Sequence, residues 1–389
     1  MPEAVITSAV RTPIGTAYKG TLSETPAEEL ALHVLREAVR RSGLSADLFD
    51  DVVLGESMYG GGDLARHAAV AAGLTQVPGA AVNRHCASSL AALGIAAGAI
   101  RAGMDRAVVA GGAHSFSTAP TLTWRVPPGD DTVEGTRPTF PYTEDATDDV
   151  SLSVGWNVAR RYGISREQMD AWALRSHRRA VAAIESGVFK DEIVPIKVRR
   201  RNGSVVAFAT DEHPRPTTSA EKLAALKPLR PDIEGFSITA GNAAGVNDAA
   251  AALAVVSDEL AREAGAPVLA TVRAWASVGV DPAFTGVGAL DAAVKVLDRA
   301  TLSVSDIDLW EINEAFASVP VAACQELHID EERVNVHGSG CSLGHPIAAS
   351  GARMVTTLVH ELRRRGGGLG LAAMCAGGGQ GGAVVVEVT

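Results

Sequence analysis

The chain repeats one arrangement of secondary structure, and this internal repeat is the feature that most limits its fold. In each copy an amphipathic helix is followed by Leu-Ser, an acidic residue and a short strand; the Leu-Ser pairs begin at Leu44 and Leu302, 258 residues apart. The same offset carries Cys86 to Gly344, one residue before His345. After each of these positions the sequence predicts a small-residue helix, a buried strand and a glycine-rich turn. The chain is therefore expected to contain two copies of one α/β unit.

The central helix of the first copy follows Cys86. From there to Arg101 the residues are small or apolar and carry no charge, which is typical of a helix buried on all sides. Val82 ends a short strand just before it, so Cys86 lies where a strand gives way to a helix. The unpaired N–H groups and the dipole of a helix N-terminus favour a thiolate there. An activated nucleophile is one interpretation of Cys86, and a small buried hydrophobic residue is the other.

Composition excludes several classes of protein. The 389 residues suffice for two or three units, and the net charge of −10 argues against nucleic acid or an anionic membrane as partner. Four cysteines are too few and too scattered for a disulfide scaffold, and no basic, apolar leader opens the chain. The longest apolar run is too short to span a bilayer. We expect a soluble, cytoplasmic protein that meets any anionic ligand with a local basic patch.

A proline-rich stretch separates the two copies. Its one long periodic segment is Arg166–Ser186, which Ser165 opens and Gly187 ends. A long irregular insertion is usually a lid or a binding surface. Regular structure is expected to resume with a small-residue helix over Asp248–Val256. We therefore expect three parts: a first half of residues 1–117 plus 246–267, a loop or lid domain of residues 118–245, and a second half of residues 268–389.

Two thiols and one imidazole lie at corresponding ends of the predicted strands and helices. If the central helices of the two copies pack side by side, Cys86 and His345 converge, and imidazole is the usual base for a thiol. Asn313 directly follows a strand of the second copy, where it could hold a water or a carbonyl. Cys375 ends the strand before a glycine-rich turn. This set suits reversible carbon–carbon bond chemistry on a thioester, with one sulfur carrying the acyl group and the other moving a proton.

Over essentially its whole length the sequence resembles the thiolases, because several motifs occur together in the order and spacing of that family. The matching segments are SAVRTPIG at 8–15, VNRHCASSL at 82–90, AGG at 110–112, RYGISREQMDAWALRSHRRA at 161–180, DEHPRP at 211–216, TAGNAAGVNDAAAAL at 239–253, EINEAF at 311–316, GHPIAASGAR at 344–353 and CAGGGQGG at 375–382.

The resemblance implies a duplicated five-layer αβαβα fold with a loop domain over the active site. It also implies an acyl-CoA C-acyltransferase that condenses or thiolytically cleaves 3-ketoacyl-CoA, with Cys86 carrying the acyl group and His345 as its base. His345 and a water on Asn313 would form one oxyanion hole, and the N–H groups of Cys86 and Gly377 the other. Cys375 would exchange a proton with Cα of the second acyl-CoA. A homodimer or homotetramer is expected, with no metal ion and no permanently bound cofactor.

The resemblance also implies contacts to coenzyme A. Arg215, in the segment DEHPRP, and the arginines from Arg175 to Arg179 are candidates for its anionic nucleotide; a solvated basic face is the alternative interpretation. Four further residues are expected near the pantetheine and acyl groups: Ser151, Ala244, Thr285 and Phe316.

Several pocket positions differ from the common thiolase pattern. His114 replaces the acid of AGGxE, and the other departures fall at Val150, Ala244, Thr285 and His337. The predicted catalytic residues match the family pattern, whereas these residues of the pocket wall differ from it. Plain acetoacetyl-CoA is therefore not the expected substrate.

Three alternatives compete with this interpretation. His337, Cys341 and His345 could bind a metal together with Cys86 or Cys375, although the intervening glycines make a shared helix face improbable. A thiolase-like protein could retain acyl transfer and lack condensation. A ketosynthase fed by acyl carrier protein is the third, and Cys375-Gly-Gly argues against it because those enzymes are expected to use a second histidine there.

Overall fold

The structure is a computed structural model that describes residues 1–59, 61–135 and 147–389. Its strands are β1 Ala4–Arg11, β2 Gly15–Thr16, β3 Asp51–Gly55, β4 Gly79–Val82, β5 Ala107–His114, β6 Leu122–Arg125, β7 Thr132–Gly135, β8 Ile196–Arg199, β9 Val205–Phe208, β10 Asn247–Ser257, β11 Ala270–Gly279, β12 Leu309–Ile312, β13 Gly368–Ala376 and β14 Gln380–Val388. Its α-helices are α1 Ala27–Arg41, α2 Leu64–Ala71, α3 Ser88–Arg101, α4 Asn157–Arg161, α5 Arg166–Ser186, α6 Ala220–Ala224, α7 Asp258–Ala264, α8 Gly288–Ala300, α9 Ser318–Leu327, α10 Gly340–Leu343 and α11 Ser350–Arg365. Within the described ranges, none of these helices combines the length and the apolar character that crossing a membrane requires.

The main sheet confirms the internal repeat. Its strand order is β12-β13-β14-β11-β1-β10-β5-β3-β4, and β2 pairs with β10. Antiparallel pairing of β1 with β11 joins the two halves. On one side β10 pairs antiparallel with β5, which continues in parallel to β3 and β4. On the other side β14 pairs antiparallel with β13, which continues in parallel to β12.

Three hydrophobic clusters separate the helices into layers. One cluster packs α1 and α2 on the outer face of the first half-sheet. A second packs α3 and α11 between the inner faces of both half-sheets. The third packs α8 and α9 on the outer face of the second half-sheet. The layers therefore run helix, sheet, helix, sheet, helix, as the five-layer prediction requires.

The small-residue segment before the second half is a strand, so the helix expected over Asp248–Val256 is wrong. All residues of β10, Asn247–Ser257, are buried between β1 and β5. Alternate side chains belong to different cores: Ala250 and Ala252 pack toward the outer layer, and Ala251 and Leu253 toward the inner one. A strand buried on both faces needs no polar alternation, so its composition matches that of a buried helix.

The segment between β5 and β10 contains two short hairpins, β6–β7 and β8–β9, and the long helix α5. The predicted bounds of α5 are confirmed. Ser165 and Gln168 form a reciprocal capping box at its start, and Gly187 takes the left-handed conformation with φ of 76° at its end.

One buried arginine of β1 ties this segment to the core. Arg11 is inaccessible to solvent, and its guanidinium donates to Glu192 at 2.6 Å and to both carboxylate oxygens of Asp211 at 2.8 and 2.9 Å. Asp211 also accepts from the backbone N–H of Ile14 at 2.8 Å. The two carboxylates raise the pKa of Arg11 even though burial opposes its charge. One cation therefore fixes two distant points of the segment to the first half-sheet.

Replacing this arginine should destabilise the fold strongly. Arg11→Met leaves two buried carboxylates without a cation, so we expect the free energy of unfolding to fall by about 3–5 kcal/mol. A urea titration followed by circular dichroism measures the change. As a matched control, Arg106→Met removes an exposed pair with Glu263 and should cost less than about 1 kcal/mol. Equal losses in the two variants would contradict the anchoring role of Arg11.

Candidate active site

The two helices of the middle layer begin side by side. A Cβ at Gly351 would lie only 2.6 Å from Leu90 Cγ and 3.0 Å from Ser89 Oγ, so just a glycine fits there. The backbone N–H of Ala352 donates to Ser89 Oγ at 2.9 Å. Cys86 lies two residues before α3 and His345 five residues before α11, so this contact brings together the starts of the two helices that follow the predicted reactive residues.

The thiol of Cys86 lies against the glycine-rich turn of the second half. It accepts a hydrogen bond from the backbone N–H of Gly377 and is also near its own backbone N–H. Cys375, at the end of β13, is close enough for charge on Cys86 to raise its pKa, in addition to the larger effect of burial. Both predicted thiols and the predicted Gly377 donor therefore lie together.

The ring of His345 is held in one orientation by the helix that follows it. Its Nδ1 lies 2.7 Å from Ser350 Oγ, and that hydroxyl donates to the carbonyl of Pro346 at 2.9 Å. The contact with Ser350 engages Nδ1, so Nε2 is the ring nitrogen left for another group. Nε2 is buried and has no protein partner. It is therefore the atom through which the ring would act as base for a thiol.

Asn313 lies beside this imidazole. It directly follows β12, where its backbone N–H donates to the carbonyl of Ala373 at 3.0 Å, and its Nδ2 lies 3.5 Å from His345 Nδ1. Its Oδ1 is buried without a protein partner. A buried polar atom of this kind usually faces a ligand or an ordered water. The position agrees with the predicted role of Asn313 in holding a water.

Burial sets the protonation state of the pair. It raises the pKa of the Cys86 thiol to about 11 and lowers the pKa of His345 to about 3. The thiolate expected from the helix N-terminus is therefore not favoured, because α3 begins two residues later and desolvation outweighs the two N–H contacts. Cys86 is nevertheless partly exposed as a residue, so a substrate can reach it.

The residues expected to line the pocket contact the protein as follows. Thr285 Oγ1 accepts from the backbone N–H of Gly379 at 3.1 Å and so supports the glycine-rich turn. Ser151 is buried and donates to Asp149 at 2.6 Å. Two further contacts join the EINEAF segment to its surroundings: the backbone N–H of Ala244 donates to the carbonyl of Ala315 at 2.9 Å, and Phe316 packs on Gly155.

The arginines predicted to contact the nucleotide of coenzyme A differ in whether they already have partners in the protein. Arg175 stacks on the ring of Trp172, with its guanidinium carbon 3.9 Å from the ring centroid. Arg179 pairs with Glu332 at 2.7 Å. These two cations already have partners, whereas Arg178 and Arg215 are exposed at the surface. Arg178 and Arg215 are thus the more available of the predicted nucleotide contacts.

Two residues that position His345 were not identified from the sequence. Ser350 orients the ring, and Asn247 Oδ1 accepts from the backbone N–H of His345 at 3.1 Å. Asn247 also fills the space beside Gly344, where φ is +99° and a Cβ would lie 2.2 Å from its Oδ1. A polar residue inside an otherwise small and apolar segment is the signal that could have found both.

The alternative metal ligands have other partners. His337 Nε2 lies 2.8 Å from Glu361, and the Cys341 thiol donates to the carbonyl of Glu314 at 3.6 Å. Among residues 1–59, 61–135 and 147–389, no group of three or more His, Cys, Asp or Glu side chains is arranged to hold a metal ion.

Comparisons with known proteins agree with this geometry. A family profile described as "Thiolase, N-terminal domain" matches residues 4–259, and one described as "Thiolase, C-terminal domain" matches residues 266–388. The chain is 43% identical to an acetyl-CoA acetyltransferase of Pseudomonas aeruginosa over 98% of both chains. It is 42% identical to a 3-oxoadipyl-CoA/3-oxo-5,6-dehydrosuberyl-CoA thiolase of Escherichia coli over 100% of both.

Two solved structures share the fold of this chain. The acetyl-CoA acetyltransferase of Bacillus anthracis superposes with a TM-score of 0.91 at 42% identity, and human mitochondrial 3-ketoacyl-CoA thiolase with a TM-score of 0.90 at 33% identity. Each superposition covers 100% of this chain and 99% of the other.

The raised thiol pKa predicts the pH dependence of alkylation. Because only the thiolate reacts with iodoacetamide, the rate at Cys86 should rise continuously from pH 6 to pH 10 and level off only near its pKa of about 11. Peptide mass spectrometry at timed intervals measures the rate. The same peptide in the urea-unfolded chain serves as control and should level off earlier. A plateau below pH 8 in the folded protein would instead reveal a thiolate–imidazolium pair.

Proposed function

Because this chain belongs to the thiolase family and is an acyl-CoA C-acyltransferase, we propose that it condenses and thiolytically cleaves 3-ketoacyl-CoA through an acyl group on Cys86. The observation that carries the proposal is the meeting of Cys86, Cys375 and the Gly377 N–H at one point, beside the helix start that holds His345.

The first half-reaction transfers the acyl group. His345 Nε2 takes the proton of Cys86 as the sulfur attacks the thioester carbonyl, and the same proton leaves on the sulfur of coenzyme A. The pair is neutral before the reaction, so proton transfer accompanies attack. The orientation of His345 supports this role, since Nδ1 is engaged by Ser350 and Nε2 has no protein partner.

Two backbone donors suit the oxyanion of the acyl-enzyme. The N–H groups of Cys86 and Gly377 both approach the Cys86 sulfur, so they lie near the oxygen that a carbonyl bound to that sulfur would present. Removing one such donor in other enzymes costs about 10²–10³ in rate. For the second oxyanion hole, a water bound to Asn313 Oδ1 and the Nε2–H of protonated His345 would supply the donors, and both atoms are free of protein partners.

Cys375 is proposed to move the proton of the second substrate. Burial raises its pKa, and the charge of an ionised Cys86 raises it further, so the two sulfurs oppose each other's ionisation. Acylation of Cys86 removes its ionisable thiol, so no charge on that sulfur can oppose the ionisation of Cys375. This order favours proton removal from Cα of the second acyl-CoA only after the first acyl group has been transferred.

The acyl substrate, the oligomeric state and the cellular compartment are also part of the proposal. The relatives include an acetyl-CoA acetyltransferase and a 3-oxoadipyl-CoA thiolase at almost equal identity, so the proposal of an acyl substrate other than plain acetoacetyl-CoA rests on the pocket departures such as His114. Arg215 would contact the nucleotide of coenzyme A, and the insertion of residues 118–245 would act as the lid. We propose a homodimer or homotetramer in the cytoplasm with no permanently bound cofactor, and the four free cysteines support a reducing compartment.

Two cysteine variants should separate the half-reactions. Cys86→Ser should abolish acylation by acetyl-CoA, because a hydroxyl is a far weaker nucleophile for thioester exchange. Cys375→Ala should keep acylation and lose 3-ketoacyl-CoA formation and cleavage by about 10³-fold or more. Intact-protein mass spectrometry measures acylation, and the absorbance of the 3-ketoacyl-CoA enolate measures the complete reaction.

Cys324→Ala is the matched control, because this buried cysteine lies on α9, outside the site. It should keep both half-reactions. Full activity of Cys375→Ala would overturn the proton-transfer role of Cys375. A wild-type protein that is acylated on Cys86 without making or cleaving 3-ketoacyl-CoA would be an acyl-transfer protein instead.

A further inference from the structure

Two buried polar atoms beside the site have no role in the chemistry described above. They are Ser57 Oγ and His114 Nε2, and both lack a protein partner. The residues are only 3% and 2% exposed. Leaving such atoms unpaired costs free energy, so a buried pair of them usually marks a ligand site.

The strands place this pair over His345. Gly55 and Gly112 are partners on β3 and β5, and a Cβ on either would lie within 2.9 Å of the carbonyl oxygen of Ala348, just after His345 in the chain. Side chains two residues further along a strand point to the same face. His114, two residues after Gly112 on β5, therefore lies on this inner face, and Ser57, two residues past the end of β3, is tied to it by the hydrogen bond from the His114 ring to the Ser57 carbonyl.

Electrostatics supports the same placement. The imidazoles of His114 and His345 are close enough for a charge on His114 to lower the pKa of His345. His114 also packs edge-on against Phe116, with 4.4 Å between ring centroids. The ring thus has an apolar neighbour on one side and the catalytic imidazole on the other.

The hydrogen-bonding capacity of the pair is defined. The ring of His114 donates to the backbone carbonyl of Ser57, and since Nε2 has no partner, the donor is Nδ1. Burial lowers the pKa of His114 to about 4, so the ring is neutral at pH 7 and Nε2 offers a lone pair. Ser57 offers a hydroxyl that can donate. The two residues, joined by the hydrogen bond to the Ser57 carbonyl, therefore offer one acceptor and one donor.

We propose that Ser57 and His114 form a subsite for a hydroxyl group on the acyl chain of the substrate. This inference rests on the proposed function and adds a substrate class to it. The substrate hydroxyl donates to His114 Nε2 and accepts from Ser57. A carboxylate has no hydrogen to donate to His114 Nε2. A methyl group can neither donate nor accept, so it would leave both His114 Nε2 and Ser57 Oγ unpaired. Because the subsite adjoins His345, the hydroxyl lies on an early carbon of the chain.

The reaction at Cys86 is unchanged by this subsite. The carbonyl carbon of the hydroxyacyl group gains a bond to the Cys86 sulfur and loses its bond to the sulfur of coenzyme A. One proton passes from Cys86 through His345 to the departing thiol, and the hydroxyl takes no part.

A comparison of matched acyl groups tests the proposal. We measure the rate of Cys86 acylation by butanoyl-CoA, 3-hydroxybutanoyl-CoA and 4-hydroxybutanoyl-CoA, using intact-protein mass spectrometry. In the wild type at least one hydroxyacyl group should react about tenfold faster than butanoyl at low substrate concentration. In Ser57→Ala and in His114→Leu this ratio should fall to about one, because each variant removes one partner of the hydroxyl. His114→Gln keeps a polar group and should recover part of the ratio.

Two control variants remove the same types of side chain at positions outside the proposed subsite. His33 on α1 also bonds backbone carbonyls through one ring nitrogen and has an unpartnered Nε2, and Ser8 on β1 is buried with an unpartnered hydroxyl. His33→Leu and Ser8→Ala should leave the ratio unchanged.

The outcomes distinguish failure of the subsite proposal from failure of the proposed function. A wild-type ratio near one, or a ratio that Ser57→Ala and His114→Leu leave intact, overturns the subsite and shows that the pair binds only water. Absence of acylation by all three acyl-CoAs would instead overturn the proposed function.

Discussion

The contact between α3 and α11 is the constraint on which the site depends. At Gly351 a single added Cβ would overlap Leu90, so the two helices approach as closely as backbones allow. The largely small-sided α3, which made the middle layer recognisable in the sequence, is the condition for this approach. Since Cys86 and His345 each precede one of these helices, the packing of the middle layer sets where the two copies of the repeat meet.

The same packing determines the protonation of the reactive groups. Tight small-residue layers exclude water, and desolvation opposes charge on Cys86, on Cys375 and on His345 alike. The enzyme therefore begins from neutral groups and forms charge only during the reaction, where N–H donors are already oriented. Such preorganised dipoles act more strongly in a site of low dielectric constant than they would in water.

Features encoded by neighbouring residues were predictable, whereas features that depend on distant partners were not. The caps of α5 and the repeat that located His345 are local or periodic signals. The sequence of Asp248–Val256 predicts a helix because a strand buried on both faces has the same composition as a buried helix. Ser350 and Asn247 acquire their roles only through contacts with His345, and the neutral state of Cys86 follows from burial that no short segment shows.

Main-chain contacts hold the catalytic groups, and this separates chemistry from substrate choice. The Cys86 sulfur is positioned by two backbone N–H groups, and the backbone of His345 by Asn247. His114 at the end of β5 supports neither contact. It can therefore differ from the common thiolase pattern while acyl transfer is kept. A change of polarity at this strand end alters which acyl group is stabilised, because the groups that react are fixed from elsewhere in the fold.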